Sequence, residues 1–292
     1  MEQYAWCEAA GSKRVEVMYL DLLKMALLGN LYSESEEYQR VQMRRGSWQA
    51  RVFAPLAWIL SQKSYFLHKR VQLTPEKVMD GLYWPANGLT MIGRKRLDNV
   101  QKCLESVIAD GIDGDVIETG VWRGGTCILM KALLNLYGSK KRLFVADSFR
   151  GVPKPDGEKY PADAAEERKE AFYLFDQLAV SLEQVRANFR RFGVLDDQVL
   201  FLEGWFKDTL PTAPISKLAL MRLDGDLYES TWDALTNLYP KLQSGGYCVS
   251  DDYGGIPACK QAVDDYRLQQ GISEAVIPID RTGVYWRRHS ST

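Results

Sequence analysis

From about residue 112 onward, short apolar runs alternate with amphipathic stretches, and this rhythm restricts the fold more than any other feature of the chain. GDVIETG (114–120), RLFVADSF (142–149), QVLFLEGWF (198–206), KLALMRLDG (217–225) and GYCVSDD (246–252) have the length and aliphatic content of buried strands. Between them, TCILMKALLNLYG, a segment from roughly Glu166 to Phe192, STWDALTNLYPKL and PACKQAVDDYRLQQ read as helices. KPDGEKYPADAAEE is a polar loop. Strand–helix units of this size predict an α/β fold with a mostly parallel, doubly wound, Rossmann-like sheet. The last segment, EAVIPIDRTGVYWRRH, reads as two strands joined at Asp280 to Gly283, an antiparallel C-terminal hairpin at the sheet edge.

Residues 1–90 lack that rhythm and read as an N-terminal helical extension, a lid or an oligomer contact, ahead of an α/β domain at 91–292. VEVMYLDLLKMALLGN places Val15, Met18, Leu22 and Met25 or Ala26 at helical spacing, and Gly29-Asn30 supplies a stop. SESEEYQRVQMRR reads as a polar helix, and APLAWILSQKSYFLHKR as an apolar one carrying Trp58, Tyr65 and Phe66.

A net charge of −1 over 292 residues gives no electrostatic basis for binding nucleic acid or an anionic membrane. VFAPLAWIL is too short to span a bilayer, and the first residues contain no apolar leader core. Five cysteines without CxxC spacing read as reduced thiols of a cytoplasmic protein. With only two histidines, both remote from the acidic strand ends, a carboxylate is the expected base and the pattern points away from zinc.

Ligands of open α/β sheets bind beyond the carboxyl ends of the strands. There, Glu118 is followed by a turn in which Gly120, Gly124 and Gly125 let the backbone approach a ligand before a helix begins at Thr126. ETGVWRGGT matches neither GxGxxG nor GxxxxGK[ST], so a cofactor without a phosphate clamp is expected. Asp147 at the end of the second strand can accept hydrogen bonds from two ribose hydroxyls. A nucleoside site of this kind suits S-adenosylmethionine.

Two further strands end in acid pairs, Asp224 with Asp226 and Asp251 with Asp252. Alternation along a strand lets Asp224 and Asp226 face the same way, and neighbouring strands would bring both pairs to one rim. So many like charges must take up protons or a cation. Oxygen-only ligation favours Mg²⁺, with Mn²⁺ or Ca²⁺ open. Asp224, Asp251 and Asp252 are the expected ligands, and Asp226 the expected base for a hydroxyl of a vicinal diol.

TMIGRKRLDN (90–99), DVIETGVWRGGT, LFVADSFRGVP, FLEGWFKDTLP, MRLDGDLYEST and SDDYG together resemble the macrocin O-methyltransferase family over roughly residues 19 to 288. The resemblance implies a class I methyltransferase fold, S-adenosylmethionine as donor, a divalent metal (usually magnesium), a sugar hydroxyl on a natural-product glycoside as acceptor, and a homo-oligomer such as a dimer. It implies the same division among Asp224, Asp226, Asp251 and Asp252, and adds Thr90, Met91, Ser148, Gly204 and Trp205 as cofactor contacts. Two other enzyme readings stay open: methylation of a catechol-like diol, and a DxD glycosyltransferase, which would explain Asp224 and Asp226 but not the glycine turn with Asp147. A binding protein that kept the fold without catalysis is the third; the intact set of acids argues against it.

Overall fold

The computed structural model describes residues 11–31, 36–40, 48–63, 65, 68–164 and 172–289. The chain opens with α1 (Gly11–Leu28), β1 (Glu36–Arg40), α2 (Trp48–Ser61), β2 (His68–Gln72), α3 (Pro75–Asp80) and α4 (Gly93–Ala109). It continues through β3 (Asp115–Thr119), α5 (Gly125–Leu136), β4 (Leu143–Asp147), α6 (Leu182–Arg191), β5 (Val199–Glu203), α7 (Phe206–Thr209) and β6 (Leu218–Leu223). α8 (Tyr228–Leu238), β7 (Leu242–Ser250), α9 (Pro257–Gln269), β8 (Ile277–Pro278) and β9 (Val284–Arg287) complete it.

Seven strands form one sheet in the order β5-β4-β3-β6-β7-β9-β8. The first five run parallel, and β9 closes antiparallel on β7 with β8 outside it. The expected parallel sheet and C-terminal hairpin are both present. Successive strand residues feed opposite cores: Val116 and Val145 join one apolar cluster, while Ile117, Phe144 and Met221 join the other. β6 is buried at every position, which explains its apolar run, interrupted only by Arg222. Order reverses at β3, whose neighbours β4 and β6 continue in opposite directions, and a ligand crevice forms at such a switch point.

Four differences from the sequence expectation have physical causes. α1 is apolar on two faces, so its spacing does not single out one of them. The buried stripe is Leu20, Leu23, Leu27 and Leu28, packed into the same core as α4 and α5; Val15, Met18, Leu22 and Met25 are exposed. The segment expected as a polar helix contains β1, paired antiparallel with β2 from Glu36↔Gln72 to Arg40↔His68. Strand alternation turns Glu37 inward, where its Oε1 accepts from the Ala86 N–H at 2.7 Å, and leaves Tyr38 outside. The second apolar helix stops at Ser61 rather than running to Arg70, and Phe66 lies outside the described residues.

The helix expected over 166–192 is present only as α6; its expected start lies outside the described residues. Two 3₁₀ turns, Phe172–Leu174 and Asp176–Leu178, precede it. The Trp122 indole N–H takes the Gln177 carbonyl at 2.9 Å, a tertiary bond in place of a helical one. Ser181 then caps α6, accepting from Gln184 N–H at 3.3 Å. Among the described residues, four cysteines are free and buried, and no helix is long and apolar enough to cross a membrane.

Candidate active site

The strand ends are stitched into one rim by backbone hydrogen bonds. Gly120 N–H donates to Ala146 O (2.9 Å), Asp224 N–H to Thr119 O (2.9 Å), Asp251 N–H to Leu223 O (2.9 Å) and Gly204 N–H to Asp147 O (3.0 Å). Gly120, at φ +81°, tolerates no side chain: an added Cβ would stand 1.7 Å from the Asp224 carbonyl oxygen. A cavity of about 630 Å³ opens over this rim. All thirteen residues singled out from the sequence line it: Thr90, Met91, Glu118, Gly120, Thr126, Asp147, Ser148, Gly204 and Trp205, together with Asp224, Asp226, Asp251 and Asp252.

On the glycine-turn side, Asp147 is fixed by backbone donors. Its Oδ2 accepts from Val121 N–H at 2.8 Å and its Oδ1 from Phe149 N–H at 2.7 Å. Burial raises its pKa above the usual range, while these bonds pull the other way. Ser148 Oγ donates to Gly151 O at 2.7 Å, and the Thr90 and Thr126 hydroxyls meet at 3.3 Å. Among the described residues, three other than glycine adopt left-handed backbone: Trp122 (+47°), Phe149 (+54°) and Asp226 (+60°). They occupy the loops after β3, β4 and β6, so strain of roughly 1 kcal/mol each is concentrated at this rim.

On the other side, carboxylate oxygens of Asp224, Asp226 and Asp252 all lie within 4.8 Å of one another. Asp226 N–H donates to Asp252 Oδ2 at 3.3 Å. The Asp224 carboxyl is pushed up to about 6 by burial and, next, by Asp251. Asp252 sits well above the ordinary range, through burial and then the charges of Asp224, Asp226 and Asp251. A cation bound among these oxygens would offset the crowding of like charge.

Asp251, the third expected ligand, lines the same cavity and is held by two arginines. Its Oδ1 is paired with Arg222 and its Oδ2 with Arg96, both buried guanidiniums. Both of its oxygens are thus in ion pairs, while Asp226 lies beside Asp224 and Asp252. Arg222 also holds Glu118 and, at 2.9 Å, Asp224 Oδ2. Arg96 reaches Asp280 Oδ2 at 2.9 Å. Glu118 additionally accepts from the Cys127 thiol at 2.7 Å, and burial outweighs Arg222 to push its carboxyl up to about 7. Sequence reasoning passed over Arg222 and Arg96. Arg222 was marked: it is the one charge inside the apolar run of β6, and a charge there must be paired.

Asp163 is a second residue that the sequence left unmarked. α8 begins just after Asp226 and has no local side-chain cap at Leu227. The fully buried Asp163, from the loop after β4, supplies one: it accepts from Tyr228 N–H at 2.7 Å and Glu229 N–H at 3.1 Å. Asp163→Ala is therefore expected to destabilise the protein by about 1–2 kcal/mol and Asp163→Asn by less, since Asn also caps. Urea midpoints of the two variants check this, and equal midpoints would exclude the cap.

A seven-stranded sheet in this order, with its cavity at the switch point and acids closing it on two sides, is the architecture of the Rossmann-like methyltransferases. A solved structure of the O-methyltransferase NovP superposes with a TM-score of 0.77 at 44% identity, covering 94% of this chain and 99% of that one. The demethyldecarbamoylnovobiocin O-methyltransferase of Streptomyces niveus is 46% identical over 273 residues, 93% of each protein. A tetracenomycin-pathway relative from Streptomyces olivaceus, the 8-demethyl-8-(2,3-dimethoxy-alpha-L-rhamnosyl)-tetracenomycin-C 4'-O-methyltransferase, is 54% identical over 213 residues, 73% of this chain and 80% of that protein. Residues 16–288 match the macrocin-O-methyltransferase (TylF) family. The chain belongs to that family and is an O-methyltransferase.

Proposed function

We propose that this enzyme methylates a sugar hydroxyl of a glycosylated natural product, taking the methyl group from S-adenosylmethionine with a divalent cation, Mg²⁺ foremost, in attendance. The observation that carries the reading is the meeting of Asp224, Asp226 and Asp252 in the cavity that also holds Asp147. The named acceptors of the relatives support the sugar: one is a rhamnosyl tetracenomycin and another a novobiocin precursor.

Asp147 and Ser148, Gly120 and Thr126, Thr90 and Met91, and Gly204 and Trp205 would bind the nucleoside and amino-acid parts of the donor. The sulfonium supplies an electrophilic methyl group with a neutral thioether as leaving group. The donor set fits a hard cation: oxygen only, desolvated, and short of positive charge. Asp224 and Asp252 would hold it, where it would acidify a diol hydroxyl. Asp251, the third expected ligand, is held beside them by Arg222 and Arg96, and Arg222 also fixes Asp224. Asp226, at the outer edge of the β6 turn, takes the hydroxyl proton as the oxygen–methyl bond forms and the sulfur–methyl bond breaks.

Two measurements test this. Calorimetry should show S-adenosylhomocysteine binding and no binding of UDP-sugars; the reverse would turn the reading to a glycosyltransferase. Asp226→Asn should keep Mg²⁺ affinity within about threefold while turnover falls at least 100-fold, the range of a lost general base. Loss of the metal along with turnover would make Asp226 a ligand instead.

The homo-oligomer is also a proposal. α2 exposes Val52, Phe53, Leu56, Trp58 and Ile59, and a second copy of this chain is the occupant we expect on that face. Trp58→Glu combined with Ile59→Glu should then halve the mass found by light scattering; an unchanged mass rejects that interface.

A further inference from the structure

The turn joining β8 to β9 touches the acid rim at several points. Thr282 lines the catalytic cavity, and its carbonyl accepts from Gly254 N–H at 2.7 Å, in the loop that follows Asp251 and Asp252. Gly283 packs so closely on Arg96 that an added Cβ would stand 2.9 Å from the Arg96 Cδ. Asp280 Oδ2 forms an ion pair with Arg96 Nε at 2.9 Å, outside hydrogen-bond alignment, so charge rather than a directed bond ties them. The Asp280 side chain is 1% exposed and stands behind the cavity lining, whereas Arg96 is part of that lining.

The charges around Arg96 give this turn a role. Arg96 and Arg222 converge on Asp251, so two buried cations share one carboxylate. Arg222 has Glu118 and Asp224 as further partners. Arg96 has Asp280, and its Nη2 donates to the Asp80 carbonyl at 3.3 Å. Without the Asp280 charge, Arg96 would compete with Arg222 for Asp251, and Asp224 also lies within its electrostatic reach. A buried cation short of its partner is costly, so its charge would fall on the acids that a divalent ion needs. Asp280 Oδ1 meanwhile accepts from the Thr282 and Gly283 N–H groups at 2.9 and 2.8 Å. One oxygen thus folds the turn while the other faces Arg96.

We infer that Asp280 is a positioning residue for the metal centre: acting through Arg96, it balances the guanidinium that holds Asp251 and leaves Asp224 and Asp252 to the cation. The inference rests on the metal reading above and extends it to a residue behind the cavity wall.

The test titrates Mn²⁺ into the full-length chain and follows the free ion by its EPR signal. Asp280→Asn keeps an oxygen that can fold the turn and loses the charge facing Arg96. It should weaken Mn²⁺ binding about tenfold or more, the usual scale for a group that supports a metal ligand from behind. In an Arg96→Gln background the same substitution should change Mn²⁺ affinity by less than about twofold, because the route through Arg96 is gone. Calorimetric affinity of Asp280→Asn for S-adenosylhomocysteine should stay within about twofold of the wild type, which a general loss of structure would not allow. Equal weakening in both backgrounds, or none where Arg96 is intact, overturns the inference while the metal reading stands. Absence of Mn²⁺ binding to the wild-type chain overturns the metal reading and the inference with it. Arg96→Lys approaches the same link from the other side. It keeps the charge but cannot span Asp251 and Asp280 together, so it should also cost about tenfold. Unchanged Mn²⁺ affinity in Arg96→Lys overturns the inference whether or not Asp280→Asn folds.

Discussion

Asp224→Asn should abolish divalent-cation binding and methyl transfer together. The substitution keeps the size of the side chain and the backbone bond from its N–H to Thr119 O, so the β6 turn survives. What it removes is the anionic charge that burial and Asp251 already place under pressure, as the carboxyl's rise to about 6 shows. Asn also leaves Arg222 with Glu118 and Asp251 as partners, so the network beneath stays paired. A cation that stabilises a developing alkoxide supplies several kcal/mol, so turnover should fall by roughly a thousandfold or more. Wild-type enzyme treated with chelator should drop to the same level and recover when Mg²⁺ is returned, whereas the variant should not recover. Affinity for S-adenosylhomocysteine should stay within about threefold, since the proposed donor contacts lie on the Asp147 side. Tight Mg²⁺ binding by Asp224→Asn would remove Asp224 from the metal site.

The residues that carry charge to the rim were legible because each breaks an otherwise apolar strand at its carboxyl end. Glu118, Asp147, Asp224 and Asp251 interrupt four apolar runs, and parallel strands in one sheet must bring those ends to one side. The mostly parallel sheet and the C-terminal hairpin followed from the same rhythm. What the sequence did not disclose is how the acids divide. Asp251 and Asp252 are neighbours, yet one is paired to two arginines and the other joins the cluster. That choice depends on Arg96, which enters from α4, 155 residues away. Asp163 was hidden for the same reason: its partners lie 65 and 66 residues downstream, and a lone Asp in a polar loop looks like any other. The N-terminal segment misled in a different way. α1 is apolar on two faces, so spacing alone selected the exposed one, and β1 is a short polar strand that exists only through its pairing with β2.

Replacing Arg222 should have the largest effect on stability of any substitution at this site. Its guanidinium is 1% exposed and is the shared partner of Glu118, Asp224 and Asp251, on three different strand ends. Methionine in its place fits the apolar run of β6 but leaves three carboxyls packed against one another with only Arg96 nearby. Removing one partner of a buried ion pair costs about 3–5 kcal/mol, because the remaining charge stays desolvated. Arg222→Met should therefore lower the urea midpoint by an amount equivalent to that, at fixed protein concentration and at pH 7.5 in chelator. The mechanism makes a second demand. Glu118→Gln in the Arg222→Met background removes one of the stranded carboxyls, so it should raise stability there by more than it does in the wild type, where Arg222 still compensates Glu118. That coupling separates a charge-compensation role from simple packing, which would make the two changes additive. Additive losses would mean that Arg222 holds the rim by its bulk, and the ordering of Asp224 would then need another cause.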